Sequence, residues 1–567
     1  MEIQSHYVTL NSTITNRKDS MKKNYLKIIG MSLVSLLILT SCSFLEILGS
    51  ILDSAVASNN PSEGNSFNTE NYEYDSSLND VELVIEEGKA GHNNKLSDYA
   101  SKNDYTIFPS IGTQNLLVIP VYFKDFLPEN MFTESREEAR ENIYNAFFGD
   151  DVKSSSENKT GWESVSSYYK KSSYGKLVIS GEVTDWCPIS QTLLSAATNR
   201  STSNPSNAVL REAIKWYKSN YPGEISKYDN DGDGYIDGVA LVYANPSQSD
   251  YDYAKYAKTT SNLEAINDFC WAYTTWDNAS TSLIGGPVGN VYMFASYSFL
   301  WEGEYYENNS IINFNRKKLV DSHTLVHEFG HMLGLDDYYS YDENDSSAPL
   351  GRLDMMDYNI GGHNPYSKYL LGWIEPRLIT KEGLYDLDSF VETGDVLLIP
   401  ASLDDFSYSA FDEYLLVEFY TPTGNNEFDA KNKYCGYGSS YPYFFSQYGI
   451  RLLHVDSRLI VFNNMTKKYS FSKTLNVNSI QDVTIAASNT PSYSIVSSYK
   501  LISLISNRGI KDYYKTKKYA TNDDLFGVAD SYKGLHFDNG KELEYELIVN
   551  SIDKNTMKAS ISIEKIK

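Results

Sequence analysis

The segment LVHEFGHMLGLDDYY, Leu325 to Tyr339, allows few backbone solutions. His327 and His331 stand four residues apart, so a helix presents both imidazoles on one face. Leu325, Val326, Phe329, Met332 and Leu333 give that helix an apolar back. Gly334 ends it, because glycine enters the left-handed region at little cost. With Glu328 beside the first histidine, the pattern is HExxH, in which the histidines are expected to hold zinc and the glutamate to act as general base for zinc-bound water; a chance match is the alternative. A catalytic zinc takes three protein ligands. The extended pattern HExxHxxGxx plus a ligand counts from His327 to Asp337, the expected third ligand. Asp336 is a competing carboxylate one position short, and His323 is expected as a neighbour or core histidine.

A second segment, GRLDMMDYNIGGHNPYSKYLLGW, runs from Gly351 to Trp373. Metzincins place a methionine turn beneath the metal. Met355 and Met356 both qualify, and Met356 is the expected turn residue. Tyr358, two positions on, would lend its phenol to the oxyanion of the reacting carbonyl. The plain alternative is a core methionine and a structural tyrosine. Asp357 and His363 are candidates to line the cleft, and His454 is expected to be structural.

KYDNDGDGYIDGV, from Lys227 to Val239, has the ligand register of an EF-hand-type loop. Asp229, Asp231, Asp233 and Asp237 occupy positions 1, 3, 5 and 9, Gly234 position 6, and Tyr235 offers a backbone carbonyl at position 7. Position 12 is Ala240, so the bidentate glutamate is missing, and an apolar run follows at once. A single structural calcium site is expected, with an ion-free acidic turn as the alternative.

The chain of 567 residues has a formal net charge of −25, which excludes nucleic acid as the main partner. Met21 to Ser43, MKKNYLKIIGMSLVSLLILTSCS, combines a basic start, a short apolar run and small residues before a cysteine. This is the pattern of a bacterial lipoprotein signal, with Met21 as the expected start and Cys42 as the lipidated residue. Stable anchoring by acyl chains would leave the body outside the cell at the membrane surface. Cys187, Cys270 and Cys435 are too dispersed for a cysteine zinc cluster.

Four parts are expected: a leader and signal over 1–42, a tether with a possible short pro-segment over 43–111, a catalytic part over 112–380, and one or more β-rich domains over 381–567. Strands are predicted at 115–125, from 176, at 237–246 and at 290–299, and helices at 135–149, 160–171 and 207–219. Strand-like runs dominate after Pro376, at 415–422, 449–458, 502–506, 542–552 and 557–566.

HEFGHMLGLDDYY followed by LDMMDYNIGGHNPYSKYLLGWIEP resembles the immune-inhibitor-A-like family of secreted bacterial metallopeptidases, whose motif is similar to HEFGHxLGLPDxYD. LLVIPVYFKD, SVSSYYKKSSYGKL, YLLVEFYTP and GIRLLHVDSR add to the likeness, strongest over about 112–380. Asp337 matches that family's ligand aspartate, while Asp336 stands where the family has proline. The resemblance implies an α+β, metzincin-like catalytic domain with a mixed twisted sheet and active-site helix, then a β-rich region. It implies zinc-dependent endoproteolysis of extracellular proteins, and an acidic calcium-binding segment before a strand. A monomer is expected. The alternative reading is a surface adhesin or glycan-binding lipoprotein on the same scaffold.

Overall fold

The computed structural model describes residues 78, 81–149, 161–278, 286–301, 304–307, 310–313, 319–342, 348–432, 442–496, 498–511, 513 and 519–566. The leader, Cys42, the first part of the tether and Cys435 lie outside the described residues. Of the stretch 43–111, residues from 81 onward pack on the body, with a short helix at Leu96–Lys102. Among the described residues no helix is long and apolar enough to cross a membrane. Cys187 and Cys270 are buried thiols.

The first half is built on a mixed sheet of β1 (Gly112–Tyr122), β2 (Leu177–Val183), β3 (Val239–Tyr243), β4 (Tyr273–Trp276) and β5 (Val291–Ser296), in the order β2-β1-β3-β5-β4. The first four in that order run parallel, and β4 lies antiparallel to β5 at the edge. Strand side chains alternate between faces. Leu116 and Val118 of β1, Ala240 and Val242 of β3, and Met293 of β5 enter one core. Leu117, Ile119, Leu241, Tyr243, Tyr292 and Phe294 enter the other. Helices cover both faces, so every strand of this sheet except the edges is apolar on both sides, as parallel strands require.

On the first face lie α1 (Arg136–Phe148), α2 (Val165–Ser172) and, later in the chain, α5 (His323–Met332). The second face holds α3 (Pro205–Asn220) and α4 (Thr260–Phe269). Local chemistry explains where these helices begin. Ser135 caps α1 through the Glu138 amide at 3.1 Å, Ser164 and Ser167 form a capping box on α2, and Asn204 precedes Pro205 at the first position of α3.

From Arg377 on, three sheets follow among the described residues. Five strands, Arg377–Leu378, Val396–Pro400, Glu413–Tyr420, Gly449–Asp456 and Ile502–Ile505, form the central one. A four-stranded sheet containing Gly383–Asp388, Tyr545–Asp553 and Lys558–Lys565 packs on one of its faces through Leu397, Val417, Ile561 and Ile563. The opposite face, with Leu398, Leu416 and Leu453, belongs to the same apolar cluster as Phe329 of α5. The expected boundary near 380 therefore crosses a continuous core.

His323 opens α5 and is fully buried. Its ring stacks on Trp162 at 3.9 Å between centroids, and its nitrogens lie 2.6 Å from Asp321 and 3.4 Å from Asp429. Burial pulls its pKa down, but the two carboxylates outweigh this and lift it from 6.5 to about 9. A histidine raised in the folded state adds stability that is complete below about 6.5 and is lost as pH climbs through about 9. The thermal midpoint of the wild type should thus fall across that window more steeply than that of His323→Gln. Parallel profiles would show that this imidazolium does not hold α5 in place.

Candidate metal centre

Helix α5 lies under β4 and β5 with Leu325, Val326, Phe329 and Met332 buried, which turns His327, Glu328 and His331 toward a cavity. Gly334 has φ +92°, a value that an L-residue rarely adopts, and reverses the chain so that Asp337 returns to the histidines. His327 Nε2 and His331 Nε2 are 3.2 Å apart, and Asp337 Oδ1 lies 3.0 Å and 3.3 Å from them.

The opposite ring nitrogens fix the tautomers. His327 Nδ1 donates to the Met355 carbonyl at 2.8 Å, and His331 Nδ1 donates to the Leu335 carbonyl at 2.7 Å. Each Nε2 then directs a lone pair at the other and at a carboxylate oxygen. Asp337 Oδ1 is buried and has no hydrogen-bond partner among the described residues. Three acceptors at this spacing need a shared cation, and their separations are those of one face of a tetrahedron with zinc bond lengths, about 3.3 Å. A proton can only partly substitute. Burial disfavours charge on His331, yet Asp337 lifts its pKa to about 10; His327 is raised for the same reason, and two imidazoliums would then face each other. A divalent ion resolves all three atoms at once, so the residues fit zinc.

The surroundings hold this set firmly. The Tyr341 hydroxyl donates to Asp337 Oδ2, a contact with no sequence signal, because one tyrosine among 47 is uninformative. Thr274 of β4 places its hydroxyl 2.7 Å from the Glu328 backbone carbonyl and 3.3 Å from Oε2. Burial raises the Glu328 pKa against the pull of the neighbouring imidazoles. Asp336 lines the same cavity, but its carboxylate is not among the three that converge.

Met356 lies fully buried beneath α5, and Met355 supplies the carbonyl that fixes His327. Gly330, between the two histidines, has no room for a side chain: a Cβ there would meet Met356 Sδ at 2.5 Å. Gly330→Ala should therefore lose up to about 2 kcal/mol, since overpacking of about 1–3 kcal/mol opposes the ~1 kcal/mol that alanine adds to a helix. Denaturant unfolding reads this directly, and a stabilised variant would contradict the contact. Tyr358 is half-buried in the cavity wall, with the Arg352 guanidinium donating to its hydroxyl and lying 4.8 Å from its ring centre. Asp357 also lines the cavity, its pKa pushed up to about 7 by burial and by Asp354. His363 is instead packed away from the cavity against Tyr169.

The acidic loop brings Asp229, Asp231 and Asp237 together, with ligand oxygens within 4.8 Å of one another. Asp233 is outside this group of three and accepts the Tyr235 amide at 2.7 Å. Asp229 Oδ1 is buried with no hydrogen-bond partner among the described residues, and burial pushes Asp237 up to about 7. Asn115 on β1 ties the loop down through the Lys227 carbonyl at 2.9 Å and Asn230 at 2.8 Å. A third group, Glu413, His454 and Asp538, is already satisfied internally. Glu413 accepts His454 Nε2 at 3.0 Å, the Asn539 amide at 3.0 Å and the Asp538 amide.

Residues 110–249 match the family model described as immune inhibitor A peptidase M6, catalytic domain. The matched stretch runs from β1 past β3 and includes the acidic loop. It stops before α5, so the converging histidines and aspartate are separate support. No curated protein matches the chain. Over that stretch the chain is similar to the catalytic domain of the immune inhibitor A peptidases, which supports a metallopeptidase.

Proposed function

We propose that the protein is a zinc-dependent endopeptidase of extracellular proteins, with His327, His331 and Asp337 as metal ligands and Glu328 as general base. The observation that supports this best is the convergence of three acceptor atoms, one of them orphaned, beside a buried glutamate. When bound, the zinc supplies Lewis acidity for water and for the scissile carbonyl. Glu328 accepts the proton of the attacking water on its carboxylate and returns it to the leaving amine, while Thr274 limits its rotation. Tyr358, held by Arg352, donates its phenol to the carbonyl oxygen as charge develops there. Among the described residues strand β4 is paired on one side only, so its other edge can take an extended peptide as an added strand.

The remaining features suit a protein working outside the cell. Cys42 is proposed as the lipid-bearing N-terminus of the mature chain, with 112–380 as the catalytic part and the β-rich region after it. Asp229, Asp231 and Asp237, with the Tyr235 carbonyl, are proposed to hold one structural calcium, and Asp233 to order the loop from within. Adding a calcium-selective chelator should lower the thermal midpoint of the wild type and leave Asp229→Ala unmoved. Equal response of the two proteins would remove calcium from this loop.

The whole reading is tested by incubating the chain with casein and a peptide library, with and without a zinc chelator. Internal cleavage that stops on chelation and returns with zinc is expected. A protein that binds zinc tightly but cleaves no internal bond is not an endopeptidase.

A further inference from the structure

Residues 89–110 supply none of the converging metal-ligand atoms, yet they are built into the body on two sides. Toward the sheets beyond 377, the Ala90 amide donates to the Pro376 carbonyl at 3.0 Å, Asn94 donates to the Lys473 carbonyl at 3.0 Å, and Tyr99 stacks on Phe411 at 5.3 Å. Toward the metal centre, Trp276 of β4 donates to the Thr106 carbonyl at 2.6 Å, and the Phe108 amide donates to the Met332 carbonyl, at the end of α5, at 2.7 Å. The Phe108 ring packs edge-on against Phe329 at 4.9 Å, on the turn between the two histidines. Between these anchors, Leu96, Tyr99 and Tyr105 line the cavity of about 270 Å³ that contains His327, Glu328 and His331. Ile485 and Leu501 border it from the C-terminal part.

We propose that this segment stays in the active enzyme as a wall of the cleft, and that Leu96, Tyr99 and Tyr105 select a large apolar or aromatic substrate side chain next to the scissile bond. This rests on the peptidase reading above. A segment that must leave on activation has to separate without opening the core. Here departure would take Phe108, which is 0% exposed, from beneath α5. Exposure changes sharply just upstream: Val84 and Ile85 are 70% and 60% exposed, whereas Ala90 is 0% exposed. The stretch before Lys89 is thus accessible, whereas from Ala90 to Phe108 exposed positions alternate with buried ones that anchor the segment. The wall itself is hydrocarbon and aromatic, which rewards apolar surface in the substrate.

The full chain should be incubated until its activity on casein is constant, and the active species identified by N-terminal sequencing. Its first residue is expected before Lys89. An active species that starts after Phe108 overturns the proposal. Peptides that differ only at the residues flanking the cut, as Ala, Leu, Phe or Arg, should show a preference for Leu or Phe. Leu96→Ala and Tyr99→Ala should change the ratio of kcat/KM between the Phe and Ala peptides by about tenfold or more. If Leu96→Ala does not fold, Leu96→Phe is read instead, with preference moving toward smaller residues. An active enzyme that prefers Arg, or variants whose ratios stay within about twofold of the wild type, overturn this assignment alone. A wild type that cleaves nothing overturns the peptidase reading and this one with it.

Discussion

Glu328→Gln is expected to lower peptide hydrolysis by about 10²–10⁴-fold while the bound metal is retained. Glutamine matches the volume of glutamate at this buried position, and its side chain can still meet the Thr274 hydroxyl. What it lacks is a basic oxygen. The environment biases that oxygen toward accepting a proton: burial destabilises the carboxylate and raises its pKa against the pull of the imidazoles on either side. Steady-state rates with metal content measured on the same sample separate the two effects. A variant hydrolysing near the wild-type rate would remove Glu328 from the reaction.

Asp337→Ala is expected to lose both metal and activity, whereas Asp336→Ala keeps the metal. Among the described residues the Asp337 carboxylate is the one that converges on both histidines, with Oδ1 at 3.0 Å and 3.3 Å, and Tyr341 fixes its other oxygen. Two histidines without a third ligand leave the ion short of the usual three protein ligands. The neighbouring carboxylate faces the same cavity from one residue away, and moving it onto the ion would require the turn after Gly334 to be rebuilt. Elemental analysis of the two variants decides between them. Metal loss in Asp336→Ala with retention in Asp337→Ala would reverse the assignment.

Most of the first half was legible because its signals are local. Predicted strands at 115–125 and 237–246 appear at Gly112–Tyr122 and Val239–Tyr243, and the helix predicted at 207–219 appears at Pro205–Asn220. Beyond 377, the run predicted at 449–458 appears at Gly449–Asp456. The four residues of β4 are too few to display alternation, although they form the edge of the cleft. The part of the expected tether from 81 to 108 carries few local signals, because its burial comes from partners hundreds of residues away, such as Phe411 and Thr484. In the metal centre, the spacing of His327, His331, Gly334 and Asp337 was readable, since one helix and one turn dictate it. Thr274, Tyr341 and the closeness of Gly330 to Met356 were not, since only the folded chain brings them together.

The three converging atoms belong to residues between 327 and 337, whereas the walls of the cavity come from as far apart as Leu96 and Leu501. Chain closure over a short stretch costs little entropy, and closure over hundreds of residues is slow. The consequence is an order of events during biogenesis. One helix and one turn suffice to bring the three ligand atoms together, whereas the cavity walls need segments hundreds of residues apart. Assembly of the ligand set and closure of the cleft are then separate events, and the second depends on the distant ends of the chain meeting.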